Sequence, residues 1–335
     1  MLISRRRWLR DAVVLTAPIV YGLKGQTVWG QTGVGQTNTW PSRPIKLIVV
    51  YPTGGVSDSA ARLVAERLTG QLGQSVVVEN RAGAAGSIGI EAMLKSAPDG
   101  YTLAFAAVSP MTINPHIMRV PYDALQDVAA VASMMYSPVY LIATPAFSGK
   151  TFADLLTQAR SAGNKLNMAT SGIATVGHLM LEQLNRSAKI QINHVPYKGG
   201  AQVITDAVGG QFELLTSNPS PALNGFIAQG KLRVLAVTGP ARLPSFPDVP
   251  TFTELGHPAA NMTSTFGFFA SSKVPPEIVK RLGDEINKVL SLPDVVDKLL
   301  KQDNIVRTQT PEQFTQLIQS QHREIGALVR ETGPF

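Results

Sequence analysis

The sequence predicts an α/β protein of two lobes, each a mostly parallel sheet flanked by helices, with a ligand cleft between them. Three observations carry this. Short, wholly apolar runs alternate with amphipathic helical stretches. The alternation stops near residue 110 and restarts near residue 138. The 335 residues, 44% of them apolar, are enough for two medium domains with real cores.

In the first lobe, KLIVVY (46–51) is a short apolar run of the kind buried on both faces of a parallel sheet. Residues 58–72 then put Ala60, Leu63, Val64, Leu68 and Leu72 on one helical stripe. SVVVEN (75–80) reads as a second strand, and 87–97 as a helix that stops before the turn Pro98-Asp99-Gly100. YTLAFAAVS (101–109) is a third strand, which completes a β-α-β-α-β run. In the second lobe, strands are expected at 138–145, 165–172, 192–197, 211–218 and 231–239, with helices at 151–162 (opened by Thr151 or its neighbour), 175–186 and 201–208. Residues 244–258 are proline-rich and irregular, and STFGFFASS (264–272) is a further strand. Helices at 276–290, 294–301 and 311–330 close the chain, the last with Phe314, Leu317, Ile318, Ile325, Leu328 and Val329 facing inward. No solenoid-type repeat is present. The chain divides into an address at 1–30, a flexible lead-in at 31–40, a first lobe at 41–135 and 255–335, and a second lobe at 136–254.

The chain has no cysteine, which removes disulfides, thiolate metal sites and cysteine nucleophiles. Of the formal charge of +7, the first thirty residues carry +4 (Arg5, Arg6, Arg7, Arg10 and Lys24 against Asp11), so the remainder carries +3. No basic run is interleaved with aromatics, so no nucleic-acid partner is expected. No long apolar surface stripe is left over, so a monomer is expected.

SRRRWLR (4–10) followed by AVVLTAPIVYGL (12–23) is a positive segment and then a short apolar one. That pairing predicts export, and a periplasmic protein once the signal is removed. Twelve residues fall short of the roughly 20 that span a bilayer, and Pro18 interrupts them. The order and spacing resemble a twin-arginine signal, with Trp8 and Arg10 in place of Phe and Lys. An ordinary secretory signal with extra arginines is the other reading. Cleavage after Gly30 suits its small side chain.

Four joints repeat one device: TGGVSD (53–58), RAGAAGSIG (81–89), TSGIAT (170–175) and YKGGAQ (197–202) each place glycine and a small or hydroxylic residue at an expected helix start. The first turn of a helix carries unpaired N–H groups and a partial positive charge, and glycine lets an anion approach them. One such joint is ordinary turn geometry. Four across two lobes suggest a carboxylate site built without arginine. The rival motifs fail on spacing. GAAGSIG is G-x-x-G-x-x-G rather than the dinucleotide G-x-G-x-x-G. AGSIG (85–89) misses the hydrolase elbow by one alanine, and six residues separate its Ser87 from Asn80. His116, His178, His194, His257 and His322 lack metal-ligand spacing, so neither metal nor cofactor is expected. His178 with Ser171 and Asp206 sketches a triad, but a histidine supporting a loop is the preferred reading.

At these residues the chain resembles the tripartite tricarboxylate transporter substrate-binding proteins, the Bug or TctC family. The matching segments are WPSRPIKLIVVYPTGG with Asp58 and Arg62, VENRAGAAGSIG, APDGYTL, INPH (113–116), HVPYKGG, GGQ (209–211), GKLRVLAVTG and DVPTFTELG. The resemblance implies a periplasmic-binding-protein type II-like fold, no enzyme activity, and closure over a small carboxylate delivered to a membrane permease. It implies ligand contacts at Thr53, Gly54, Gly55, Ser57 and Asp58 in the first loop, with Tyr51 where the family usually has Phe. It further implies Ala84, Gly86 and Ser87 in the second loop, and Ser109 after the third strand. In the second lobe it implies Ser171, Gly172, Ala174, Thr175 and His178, where Ala174 and Thr175 replace a usual Gly and Ser, and then Lys198, Gly199 and Asp206. Asp58 is expected as a helix cap, and Asp206 as a loop-ordering group or the partner of a ligand ammonium. Two alternatives remain open: a secreted serine hydrolase using Ser87 or Ser171 with His178, and a receptor reporting to a signalling partner.

Overall fold

The computed structural model describes residues 40–161 and 166–332, so the expected export signal, its expected cleavage point and the expected lead-in up to residue 39 lie outside the described residues. The expected first run is present as β1 (Ile45–Val49), α1 (Val56–Leu72), β2 (Val76–Asn80), α2 (Ser87–Leu94) and β3 (Thr102–Ala107). Two single turns, α3 (Ser109–Thr112) and α4 (Asn114–Ile117), lead to β4 (Val128–Ser137). The second run is β5 (Tyr140–Ala143), α5 (Phe152–Arg160), β6 (Asn167–Thr170), α6 (Val176–Ala188), β7 (Asn193–Pro196), α7 (Gly200–Val208), β8 (Leu214–Ser217), α8 (Pro221–Ala228) and β9 (Arg233–Val237). The chain closes with β10 (Ser264–Ser271), α9 (Pro276–Leu290), α10 (Pro293–Leu300), β11 (Ile305–Gln309) and α11 (Pro311–Thr332).

The strands make two sheets, ordered β11-β4-β10-β3-β1-β2 and β7-β6-β8-β5-β9, and the residues from Trp40 onward group into one compact unit. In each sheet the strand next to one edge runs parallel to two neighbours: β1 to β2 and β3, and β6 to β7 and β8. The sheets are mixed rather than mostly parallel. β10 runs antiparallel to β3 and β4, β11 to β4, and β5 to β8 and β9. The reason is connectivity. A parallel neighbour needs a crossover helix, whereas β5 and β10 are each entered from the other sheet without one. The two links between the sheets are residues 138–139 and 238–263.

Five elements go beyond the sequence expectations: the single turns α3 and α4, and β4, α8 and β11. The β4 segment, VAAVASMMYS, is alanine- and methionine-rich and nearly all buried, so it shows neither alternation nor β-branched enrichment. β11 is a short edge strand, half polar.

Burial on both faces explains the apolar runs. In β1, Ile45, Leu47 and Val49 pack with α1, α9 and α10 through Val64, Leu68, Ile286 and Val295. Ile48 and Val50 point the other way, to Ile90 and Met93 of α2 and to Phe314 and Ile318 of α11. The second sheet repeats the arrangement. Leu141, Met168 and Leu214 face α6, while Ile142, Ala169 and Leu215 face α7 and α8. Parallel sheets covered on both sides present their functional ends at the carboxyl edge of the strands, and the glycine joints stand there.

Candidate functional site

Past the carboxyl end of β1 the chain turns through Gly54, whose φ of +82° favours glycine, and enters α1 with Gly55 as N-cap. Glycine supplies no capping side chain, so the N–H groups of Val56, Ser57 and Asp58 have no acceptor within the helix. Asp58 is not the cap expected from the sequence. It sits in the first turn and reaches back, its Oδ2 accepting the Gly54 N–H at 3.0 Å. Its Oδ1 accepts from Arg62 Nε and Asn80 Nδ2, each at 3.0 Å, and Asn80 Nδ2 also donates to the Tyr51 carbonyl at 3.0 Å. Burial opposes ionisation of Asp58, but Arg62, the Gly54 N–H and Asn80 outweigh it and hold the carboxyl below its ordinary range.

Three helix ends from the second sheet stand beside this one. α7 begins at Gly199, again without a side-chain cap. Gly199 has φ +139°, and a Cβ there would meet the Pro52 ring at 2.4 Å. A Cβ on Gly54 would lie 4.0 Å from the Ala201 Cβ. The α1 and α7 ends therefore approach each other through bare peptide. α6 is partly closed. Its N-cap Thr175 accepts the His178 N–H at 3.3 Å and donates to the Gly172 carbonyl at 2.8 Å, leaving the Val176 and Gly177 N–H groups for the cavity. α8 is capped by Ser220, whose Oγ accepts the Leu223 N–H.

These ends enclose a cavity of about 70 Å³, room for roughly five waters or a small organic acid. One wall comes from the first sheet: Tyr51, Pro52, Gly55, Val56, Ser57, Ala107, Ser109, Ser264 and Phe266. The other comes from the second: Ser171, Thr175, Val176, Gly177, Gly200, Ile204, Ser217, Asn218 and Ser220. No charged side chain is in the lining. Ser57 and Ser109 are 3% and 2% exposed, and their Oγ atoms have no protein partner among the described residues. Burial pushes the Tyr51 phenol well above its ordinary value, so it stays protonated. Asn218 Nδ2 donates to the carbonyls of Pro138 (2.9 Å) and Ser137 (3.4 Å), and its Oδ1 accepts from Ser264 Oγ (3.3 Å).

Of the residues expected from the sequence, Tyr51, Gly55, Ser57, Ser109, Ser171 and Thr175 line this cavity. The others are placed around it. Thr53 and Gly54 are exposed in the turn. Ala84 and Gly86 lie in a loop with positive φ from Gly83 to Gly86. Ser87 Oγ is engaged by Asn114 Nδ2 (2.8 Å) and Tyr122 OH (3.0 Å). Gly172 and Ala174 shape the α6 entry, with φ +142° and +59°. Ala174 donates its N–H to His178 Nδ1 at 3.2 Å, and the His178 ring stacks on His194 at 4.0 Å, the loop-supporting arrangement. Lys198 is exposed. Asp206 accepts from Tyr197 OH at 2.7 Å. Burial and this bond push the Tyr197 phenol up to about 12.

The RAGAAGSIG joint therefore does not reach the cavity, and the α8 end takes its place. That end was legible: Ser217-Asn218-Pro219-Ser220-Pro221 is a strand end followed by a serine cap and a proline at the first helical position. Ser264 and Phe266 carry no such local mark; they arrive by strand pairing, Phe266 opposite Ala107. Among the described residues there is no cluster of three His, Asp or Glu side chains suited to a metal, and no helix long and apolar enough to cross a membrane.

A family model described as tripartite tricarboxylate transporter family receptor matches residues 60–333. Protein BugT of Bordetella pertussis is 35% identical over 298 residues, which cover 88% of this chain and 91% of BugT. MatC from Rhodopseudomonas palustris, solved with bound malate, matches with a TM-score of 0.81 at 26% identity over 87% of this chain and 100% of MatC. An R. palustris protein solved with adipate matches with a TM-score of 0.83 at 29% identity over 88% of this chain and 100% of that one. The chain belongs to the tripartite tricarboxylate transporter receptor family, the Bug or TctC solute-binding proteins, which is a family of receptors and not of enzymes.

Proposed function

We propose that this protein captures a small carboxylic acid between its two sheets, holding it mainly by backbone amides, and hands it to a tripartite tricarboxylate-type permease. One observation carries the reading: a cavity lined by no charged side chain is met by the first turns of α1, α6, α7 and α8. Unpaired N–H groups and aligned peptide dipoles favour an anion there. The Ser57, Ser109 and Ser171 hydroxyls add donors. Malate and adipate in two structural neighbours fit this chemistry.

The same lining favours an acid without an ammonium group. Asp58 and Asp206 are the nearby carboxylates considered from the sequence, and both are committed, to Arg62 and Asn80 and to Tyr197 respectively. A free amino acid would bury its ammonium among serine hydroxyls and peptide N–H groups, an unfavourable desolvation. The chain is read as exported through its twin-arginine-like signal and acting as a monomer in the periplasm. Lobes at 41–135 with 255–335 and at 136–254 close on the ligand.

The test is thermal unfolding of the mature protein against mono-, di- and tricarboxylates, amino acids and neutral analogues. At a hundred times its dissociation constant a ligand adds about 2.7 kcal/mol to stability. An acid should raise the melting temperature, and its α-amino counterpart should raise it less. A response confined to neutral compounds would overturn the reading.

A further inference from the structure

We infer that Arg62 and Asn80, neither of which lines the cavity, are positioning residues that set the charge a bound acid meets, by holding and neutralising the Asp58 carboxylate behind the α1 end. The inference rests on that end being the acid site, a reading also supported by the buried Ser57 and Ser109 hydroxyls turned into the cavity without a protein partner.

Asp58 is 7% exposed and follows directly on Ser57. Its Oδ2 fixes the turn through the Gly54 N–H, so the side chain is needed for the shape of the end. Its charge, however, opposes the ligand: an unneutralised carboxylate beside an anion site repels the anion and competes for the same helix dipole. The remedy is Arg62 at i+4. Its Nε donates to Asp58 Oδ1, and its Nη2 donates to Asn80 Oδ1 at 3.1 Å. Asn80 then bridges Asp58 Oδ1 and the Tyr51 carbonyl. The guanidinium is aimed at the back of the turn, with its side chain 52% exposed to solvent. The other neighbouring charges are occupied. On β2, Glu79 pairs with Lys46 and Arg81. α10 meets α1 farther along, where Arg67 pairs with Asp294, and α9 meets it where Gln71 bonds Glu285. Among the described residues, Arg62 is the charged group that faces Asp58.

The experiment follows the amide signals of Gly55, Val56 and Ser57 in the ¹⁵N-labelled mature protein during titration with acetate, malate and adipate at pH 7.5 and 5.5. Each variant is compared with the wild type at the same pH. Arg62→Met should weaken binding about tenfold or more at pH 7.5. That deficit should shrink at pH 5.5, because losing Arg62 lets the buried Asp58 carboxyl take up a proton more readily, and in the double variant Asp58→Asn/Arg62→Met. Arg62→Lys, which keeps the charge but not the two-nitrogen reach to Asp58 and Asn80, should recover part of the Arg62→Met loss. If no acid moves these amides in the wild type, the α1 end is not an acid site and the proposed function falls with the inference. If the wild type responds and Arg62→Met responds equally, the inference alone is overturned. The same holds if its deficit persists at pH 5.5 and in the double variant. Should Arg62→Met fail to fold, the double variant decides: a loss beyond about threefold overturns the inference.

Discussion

The first turns of α5 and α1 carry aspartate at the same position, yet one helix end is closed and the other open. In α5, Thr151 is the N-cap and its Oγ1 accepts the Asp154 N–H at 3.1 Å. The Asp154 carboxylate accepts the N–H groups of Thr151 (2.9 Å) and Lys150 (2.8 Å). In α1, glycine is the N-cap, and Asp58 reaches past it to Gly54 while Arg62 and Asn80 restrain its other oxygen. The Gly149-Lys150-Thr151 triplet looks, letter by letter, like the end of a phosphate loop. Thr144 stands where that motif needs its first glycine, and Asp154 fills the turn. A helix start thus becomes available to a ligand when the chain withholds its own oxygens. One residue, threonine or glycine at the cap, decides much of that.

The largest effect should come from closing the open end. Gly55 has φ −84°, and a Cβ there finds nothing nearer than the Pro52 carbonyl at 3.9 Å, so Gly55→Asp fits without strain. The new carboxylate would take the first-turn amides and repel a ligand anion. Calorimetry should find acid affinity down about a hundredfold or more with the melting temperature kept or raised. Undiminished affinity would remove the α1 amides from the site.

The half-closed α6 end sharpens the contrast. It rests on His178 and His194, which burial lowers to about 4 each, with the neighbouring His178 adding to the effect on His194. In the unfolded chain both titrate near 6.5. Between those values the unfolded state binds more protons, so stability is fully present above pH 6.5 and is lost as pH falls towards 4. Urea midpoints between pH 7 and 4.5 should register a loss of roughly 2 kcal/mol or more over the two rings, after discounting for solvent at His194. The slope should flatten in His194→Gln. An unchanged slope there would mean these rings titrate freely.

Opening the closed end should matter least. Thr151→Ala should cost about 1 kcal/mol in urea unfolding and leave acid affinity unchanged. A shift in affinity would mean that α5 communicates with the cavity.

Local backbone chemistry made much of this readable in the sequence. The glycines at 54 and 199 mark turns whose positive φ favours a residue without Cβ, and glycine at 55 leaves the α1 start without a capping side chain. Thr151 announces a closed start. The apolar runs announce strands covered on both faces. What stayed hidden depends on residues far apart in the chain. Ser87 stands at a glycine joint in the sequence, and only the fold shows its hydroxyl engaged by Asn114 and Tyr122. Phe266 and Ser264 reach the cavity by pairing, and β4 is invisible to periodicity because both its faces are buried. Asp58 was legible as a first-turn acid, but its restraint by Asn80 crosses from another strand.

Asn218 faces the cavity and also grips both segments where the chain passes from one sheet to the other, at Ser137 and Pro138 on one side and Ser264 on the other. A guest bonded to that amide would compete with the bonds that Asn218 makes to both passages. The lining of the cavity and the two passages between the sheets thus share one side chain.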